Sequence, residues 1–387
     1  MPYGERYEEL PSTIGFQSGA TVSYPGGLPK DLPLRGLLLA CEGRVNLTQS
    51  VAGVVFPEAP QSIIRRIVVT GTKVGGSGSI TPVNVRGEEA HIFTRLYHQC
   101  IPVGANLAAL PGAGGTAFPA PLSNTATGTF DFRTFYWVPL SYLLSGVEDE
   151  VATLTDPNTY SQLDLNLSFG AVTGVTAIPF FFSGGTFSNA TLTAFGSASG
   201  SPSVRITRVA PLAAAAGFKK AMARFQVQTQ SKKIGVFPGT TFSDQKISDF
   251  PIGNRIRCMM VRQYAENASV EGLIDQAGSV SLARIGDNSN IGTYRLRMKL
   301  NGAEKFRMFW PDLQERNRYF YDQYSTLMPQ GYGVLEFSQR GFPLAESFDT
   351  RGYGAAGMRL ELFGDALTLA AADRMDLLTQ EQIALGA

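Results

Sequence analysis

An all-β chain made of two similar domains in tandem, with a few short helices, is the fold class this sequence predicts. Three observations carry that expectation. The first is a repeated order of landmarks. Phe56-Pro57 precedes the apolar run Ile63–Val69, and Phe250-Pro251 precedes Arg255–Val261, at an offset of 250 − 56 = 194. Pro139-Leu140-Ser141 and Pro343-Leu344-Ala345 each follow an aromatic strand, at an offset of 343 − 139 = 204. Leu163–Leu167 and Met358–Leu362 both alternate apolar and polar residues, 358 − 163 = 195 positions apart. Nearly one spacing, kept three times in one order, marks a duplicated unit. The second observation is composition. The chain holds 42 Gly, 22 Pro, 25 Phe and 14 Tyr, and only 17% of its residues are charged, against about 25% in ordinary globular chains. That balance suits many turns and a surface that is polar but uncharged, or covered by copies of itself. The third is length: 387 residues are enough for two domains with cores of their own.

The first 35 residues, punctuated by Pro11, Pro25, Pro29 and Pro33, read as an extended arm. The first domain is then expected over 36–225. Two strand-like runs lie between Gly36 and Val74, the second a near-continuous apolar stretch, Ile63–Thr70, that fits a strand buried on both faces. Val74 to Val85 reads as a Gly/Ser/Thr turn region. Ile92, Phe93, Leu96, Tyr97 and Cys100 recur at helical spacing, with Glu88 and Glu89 at the helix N-terminus and Pro102 as its stop. Residues 103–128 form a loop. Thr129–Leu140 is an aromatic strand that should end at Pro139, which has no N–H to give a ladder. Large side chains on both of its faces demand cover on both sides, and the Ile92–Cys100 helix or the second domain is the expected source. Leu143 to Thr155 contains a helical turn, and Leu163–Phe169 is a period-2 strand with one buried face. Residues 183–203, nearly all Gly, Ser, Thr, Ala and Phe, read as a protruding loop with short strands.

Pro211 to Phe225 reads as a helix joining the halves. The second domain, expected over 226–370, carries strands at Ile291–Leu300, Gly333–Phe337 and Met358–Phe363, a helix from Pro311-Asp312 to about Tyr324, and a turn at Phe342-Pro343-Leu344. The final segment, 371–387, reads as a tail or a short helix, from the apolar spacing of Ala370 to Ala384.

Little in the chain points to catalysis. The formal net charge is +1, which gives no bulk electrostatic hold on nucleic acid, and no sequence-specific nucleic-acid partner is expected. Cys41, Cys100 and Cys258 are few, distant and odd in number, as reduced thiols of a cytosol-folded chain would be. Met1–Leu10 carries Glu5, Glu8 and Glu9 and lacks the apolar core of a signal peptide. No apolar run approaches the length needed to span a bilayer. His91 and His98 share a helix with Glu88 and Glu89 and could hold a metal, but partly exposed helix polars explain them more simply. Gly75-Gly76-Ser77-Gly78 is better read as a turn than as a phosphate cradle. Arg65-Arg66, Lys219-Lys220, Lys232-Lys233, Arg255 and Arg257 could meet phosphate or anionic lipid heads, with solvation or ion pairing between subunits the commoner role. Asp349-Thr350-Arg351-Gly352 fits a tight turn holding a buried Asp–Arg pair. No catalytic, cofactor-binding or metal residue is assigned. The residues singled out, Tyr136, Trp137, Pro139, Leu140 and Pro343, are expected to serve packing.

The string Phe135–Tyr142, followed by Gln162 and by Leu163–Phe169, resembles a stretch of the major capsid proteins of tectiviruses, tailless icosahedral phages with an internal lipid membrane. Tyr136-Trp137-Val138-Pro139-Leu140 is its most specific part, and Gly331–Phe363 is similar more loosely. The acidic N-terminal segment departs from that family's. The resemblance implies two tandem eight-stranded jelly-roll sandwiches per chain and homotrimers of pseudo-sixfold symmetry tiling an icosahedral shell in the virion. It also implies minor capsid and vertex proteins as partners, an internal membrane beneath the shell, and no cofactor. A carbohydrate- or receptor-binding tandem sandwich, such as a spike or lectin, is the competing expectation. A glycosidase would need a carboxylate pair in a cleft, and Glu148-Asp149-Glu150 reads more simply as a solvated turn.

Overall fold

The computed structural model describes residues 5–51, 54–55, 61–75, 78–98, 128–142, 147–172, 182–183, 186–211, 225–236, 245–247, 253–264, 294–320, 332–338, 346–352, 358–364 and 374–384. The chain divides into two compact units. The bulk of the first is Met1–Leu143 with Val151–Ala223, and the bulk of the second is Arg224–Glu271 with Leu282–Ala387.

In the first part of the chain the strands are β1 (Glu5–Glu9), β2 (Ile14–Gly15), β3 (Thr21–Ser23), β4 (Gly36–Val51), β5 (Val54–Val55), β6 (Ile64–Lys73) and β7 (Ser79–Val85). Helix α1 (Gly87–His98) leads to β8 (Gly128–Pro139), α2 (Val147–Thr153), β9 (Tyr160–Phe169), β10 (Phe182–Ser183), β11 (Thr186–Thr193) and β12 (Ser203–Pro211). The strand pairs named below are antiparallel. One sheet runs β1-β12-β4-β8, and β11 extends it by pairing with the far end of β4. The other runs β3-β9-β6-β7. Alternation decides which faces meet. Along β4, Leu37, Leu39, Cys41, Val45 and Leu47 are buried, whereas Glu42, Arg44 and Asn46 point the other way and are half-buried. On β9 the buried set is Tyr160, Leu163, Leu165, Leu167 and Phe169.

The second unit contains β13 (Phe225–Val236), β14 (Gln245–Ile247), β15 (Arg255–Tyr264), β16 (Tyr294–Leu300), β17 (Ala303–Phe309), α3 (Trp310–Phe320), β18 (Tyr332–Glu336), β19 (Phe348–Asp349), β20 (Met358–Gly364) and β21 (Arg374–Ala384). Its sheets run β13-β21-β15-β18 and β14-β20-β16-β17. β16 and β17 are joined by Asn301-Gly302, both at positive φ (46° and 82°). That is the two-residue turn whose twist matches a hairpin, and these two residue types adopt it most readily.

Counted in chain order, the eight principal strands of each unit pair as first-eighth-third-sixth in one sheet and second-seventh-fourth-fifth in the other. This is the jelly-roll order, and it occurs twice. In both units a helix occupies the crossing from the fifth strand to the sixth. The fold class expected from sequence is therefore the one observed.

Several local expectations are corrected. The N-terminal arm is not an arm, because Glu5–Glu9 and Thr21–Ser23 are the first and second strands of the first sandwich. Residues 374–384 form neither a tail nor a helix. Arg374–Ala384 is a strand between β13 and β15, with Leu377 and Leu378 both buried, and pairing on both edges overrides a helix-like spacing. Ser79–Val85 is a strand and not a turn, since Val83 and Val85 reach the core. The loop with short strands expected over 183–203 holds β11, an eight-residue strand with three Thr that pairs with β4 and buries Ala190. β6 alternates buried and half-buried residues over most of its length and so is not covered equally on both faces. The paired runs Ile63–Val69 and Arg255–Val261 are not equivalent, being the fourth strand of one unit and the third of the other. The Leu163/Met358 landmarks do fall on corresponding strands, β9 and β20, and Pro139 is the last residue of β8. The loop over 103–127, the body of the helix expected over 211–225, and the turn at Pro343 lie outside the described residues.

Candidate assembly scaffold

Of the residues singled out for packing, Tyr136, Trp137, Pro139 and Leu140 sit at the end of β8 beside α1. Helix α1 begins where the Glu89 carboxylate accepts the backbone N–H of Arg86 at 2.9 Å, a side chain three residues into the helix satisfying an N-terminal donor. Glu88 is buried against Arg65 at 3.5 Å. The helix then sets Ala90, Ile92 and Phe93 into the interior. His91 donates from Nδ1 to the carbonyl of Phe135 at 2.9 Å and accepts from Gln61 Nε2 at 3.4 Å. Its ring meets that of Tyr136 edge to face, centroids 6.5 Å apart. Tyr136 is fully buried, and its hydroxyl donates to the Gln61 carbonyl at 3.0 Å. Burial pushes this phenol well above its ordinary value of 10.0, so it serves as a neutral donor. The helix expected to cover this strand does so.

Trp137 lies on the opposite face of β8 and is 1% exposed. Its ring rests on Gly36, where an added Cβ would stand 2.4 Å from the indole. Only a residue without a side chain permits this approach. Pro139 closes the strand opposite Gly36. The exit is then fastened by Leu140 N–H to the Arg35 carbonyl (3.1 Å), Ser141 Oγ to the same carbonyl (3.1 Å) and Thr155 Oγ1 to the Leu140 carbonyl (2.8 Å). Leu140 is fully buried.

The polar face of the β1-β12-β4-β8 sheet carries a charge ladder with one residue from each strand. Glu9 pairs with Arg205, Arg205 with Glu42, and Glu42 with Arg133. The Arg133 guanidinium lies over the Phe195 ring at 5.2 Å. Nearby, Arg44 grips Asp131 through two hydrogen bonds of 2.7 Å, and Gly196 N–H adds a third at 2.9 Å. The hydrogen bond from Arg44, followed by that from Gly196, holds the Asp131 carboxyl below its ordinary value of 3.8. Sequence reasoning missed this ladder. Its signal was the polar half of the alternation in β4, β8 and β12, which became readable only once strand order was known.

Other candidates are dispersed. Arg65 and Arg257 are buried in pairs with Glu88 and Glu336, Arg66 donates to Asn84, and Arg255 meets Asp349, so these cations serve the chain's own fold. Arg351 forms a two-point pair with Asp349, but both side chains are about half exposed, which corrects the expected burial of that pair. Among the described residues no group of three or more His, Cys, Asp or Glu could hold a metal ion, and no helix is long and apolar enough to cross a membrane. Cys41 and Cys258 are free thiols in the interior.

The fold and this packing define a double jelly-roll chain. No family model matches the sequence, and no curated protein matches it. Solved structures do. The chain is similar to the STIV MCP at a TM-score of 0.63 and 12% identity, covering 99% of this chain and 97% of that one. A structure of Sulfolobus Turreted Icosahedral Virus aligns at 0.63 and 14% identity, over 98% and 91% of the two chains. The Faustovirus major capsid protein aligns at 0.52 and 10% identity, over 98% and 89%. At such identities the likeness establishes the shared fold.

Proposed function

We propose that this chain is the major capsid protein of an icosahedral virus, a shell subunit and not an enzyme. The observation that carries this reading is the same jelly-roll strand order found twice in one chain, over nearly the whole length of proteins whose names describe capsids. Two similar sandwiches per chain make six per homotrimer, which supports a pseudo-hexagonal tile able to fill near-sixfold positions of a closed facet. The scaffold around Tyr136 and Trp137 would then keep the tile rigid. Low charge suits broad contacts between subunits, each above about 1,200 Å². Neighbouring trimers are the main partners, with minor capsid and vertex proteins, and a membrane beneath the shell, completing the particle in the virion.

Sedimentation velocity of the purified chain at micromolar concentration should give a stable trimer, and negative-stain images of source particles should show capsomers of that size. A persistent monomer that binds glycans in an array would overturn the proposal in favour of a lectin or spike.

A further inference from the structure

The second sandwich contains a groove where its fifth strand, its sixth strand and the helix between them converge. Met298, Phe306, Met308, Leu335, Phe337 and Phe348 line it, with a volume of about 620 Å³. This lies within the range of roughly 300–1,000 Å³ typical of small-molecule sites. Met298 and Leu335 belong to the closed core, but Phe306, Met308, Phe337 and Phe348 are only half-buried. Phe337 and Phe348 form a tilted pair, centroids 5.2 Å apart. An apolar trough left half in water marks a binding surface, and two methionine side chains let its shape adapt.

Charge narrows the ligand. Lys305 and Arg316 also line the groove and are exposed. Among the described residues neither makes a hydrogen bond or ion pair, whereas Arg255, Arg257 and Arg351 of the same unit are all paired. The one carboxylate in the lining, Glu336, is buried and already balanced by Arg257 at 3.5 Å and by the Ser338 hydroxyl at 2.7 Å. The lining thus presents an apolar trough and net positive charge. We propose that this groove binds one single-chain fatty-acid carboxylate, its tail on the Met and Phe side chains and its head at Lys305 and Arg316. The small volume favours a monomeric ligand over a bilayer or a folded partner. At the corresponding corner of the first sandwich, among the described residues, Ile92, Phe93 and Tyr136 are buried.

Isothermal titration of the full-length protein with dodecanoate, kept below its aggregation concentration, tests this. One site per chain is expected, with dodecan-1-ol binding about tenfold more weakly, and with the Lys305→Ala and Arg316→Ala variants each weakening dodecanoate by roughly two- to fivefold. Met308→Trp should fill the groove and abolish binding. Lys305→Glu, a surface change, should weaken dodecanoate while leaving dodecan-1-ol unaffected. Ligand should also raise the thermal midpoint of wild type and not of Met308→Trp. No saturable binding, undiminished binding by Met308→Trp, equal affinity for acid and alcohol, or binding only to anionic vesicles would each overturn the proposal.

Discussion

The two sandwiches share one strand order, yet their fifth-to-sixth crossings are built differently. In the first, α1 is part of the core: Glu88, Glu89, Ala90, His91, Ile92 and Phe93 are all buried. In the second, Leu313 and Asn317 are the α3 residues shown buried, while Asp312, Glu315, Arg316 and Tyr319 are exposed. Besides the buried Leu313, α3 is fastened through the Asn317 amide. Asn317 donates from Nδ2 to the carbonyl of Val334 and accepts the Val334 N–H at 2.8 Å. Strand pairing therefore defines the topology, and the crossing is free to become either core or a tethered cover over an open groove.

The comparison can be broken most readily with large-to-small changes. Phe93→Ala should cost about 3–5 kcal/mol in chemical denaturation, and Phe306→Ala, half in water already, less than about 2 kcal/mol. Equal losses would mean the second corner is as closed as the first. Trp137→Ala belongs with the larger class, at about 3–5 kcal/mol, and should lower trimer yield. Wild-type stability in that variant would remove Trp137 from the scaffold. Gly36→Ala should cost about 1–3 kcal/mol by forcing the indole aside, read as a lowered denaturation midpoint.

Asn317→Ala tests the tether. It leaves two buried backbone groups of Val334 without partners, at a cost of about 1–3 kcal/mol, and hydrogen exchange at Val334 should accelerate. Unchanged exchange would show that α3 is held elsewhere. The smallest effect is on the Arg44–Asp131 pair beside the charge ladder. Because the folded Asp131 carboxyl lies below its ordinary value of 3.8, its pairing contributes fully above that value and is lost as pH falls through the lower folded one. Asp131→Asn should remove that acid dependence, at no more than about 1 kcal/mol for a partly exposed pair.

How much of this was legible in the sequence differs between the halves of each sandwich. Leu163–Leu167 and Met358–Leu362 alternate cleanly and are corresponding strands. Pro139 ends its strand, as a residue without an N–H should. The early strands escaped because β3 and β14 span only three residues each, too short to show a period. The spacing is also not constant. From Gly87 to Trp310 it is 310 − 87 = 223, and from Gly128 to Tyr332 it is 332 − 128 = 204, because the first unit's helix-to-strand connection is longer. A search for one fixed offset therefore matched a fourth strand to a third. Asn301-Gly302 was the local signal that would have located the fourth and fifth strands of the second unit. Tyr136 and Trp137 were identifiable as packing residues because β8 is aromatic on both faces. The fatty-acid groove was not, since its lining comes from β16, β17, β18, β19 and α3, brought together only by the fold.

Each sandwich is closed by its own last strand, β12 inserting between β1 and β4, and β21 between β13 and β15. Neither sheet has a continuous middle until that strand arrives, so each barrier to folding rests on contacts across most of a domain. During synthesis the first sandwich can finish while the second is still emerging from the ribosome. The second must wait for residues up to Ala384. Until then β13 and β15 have edges awaiting a neighbour, the kind of edge that can recruit the wrong chain. The timing of translation thus sets how long those edges stay open.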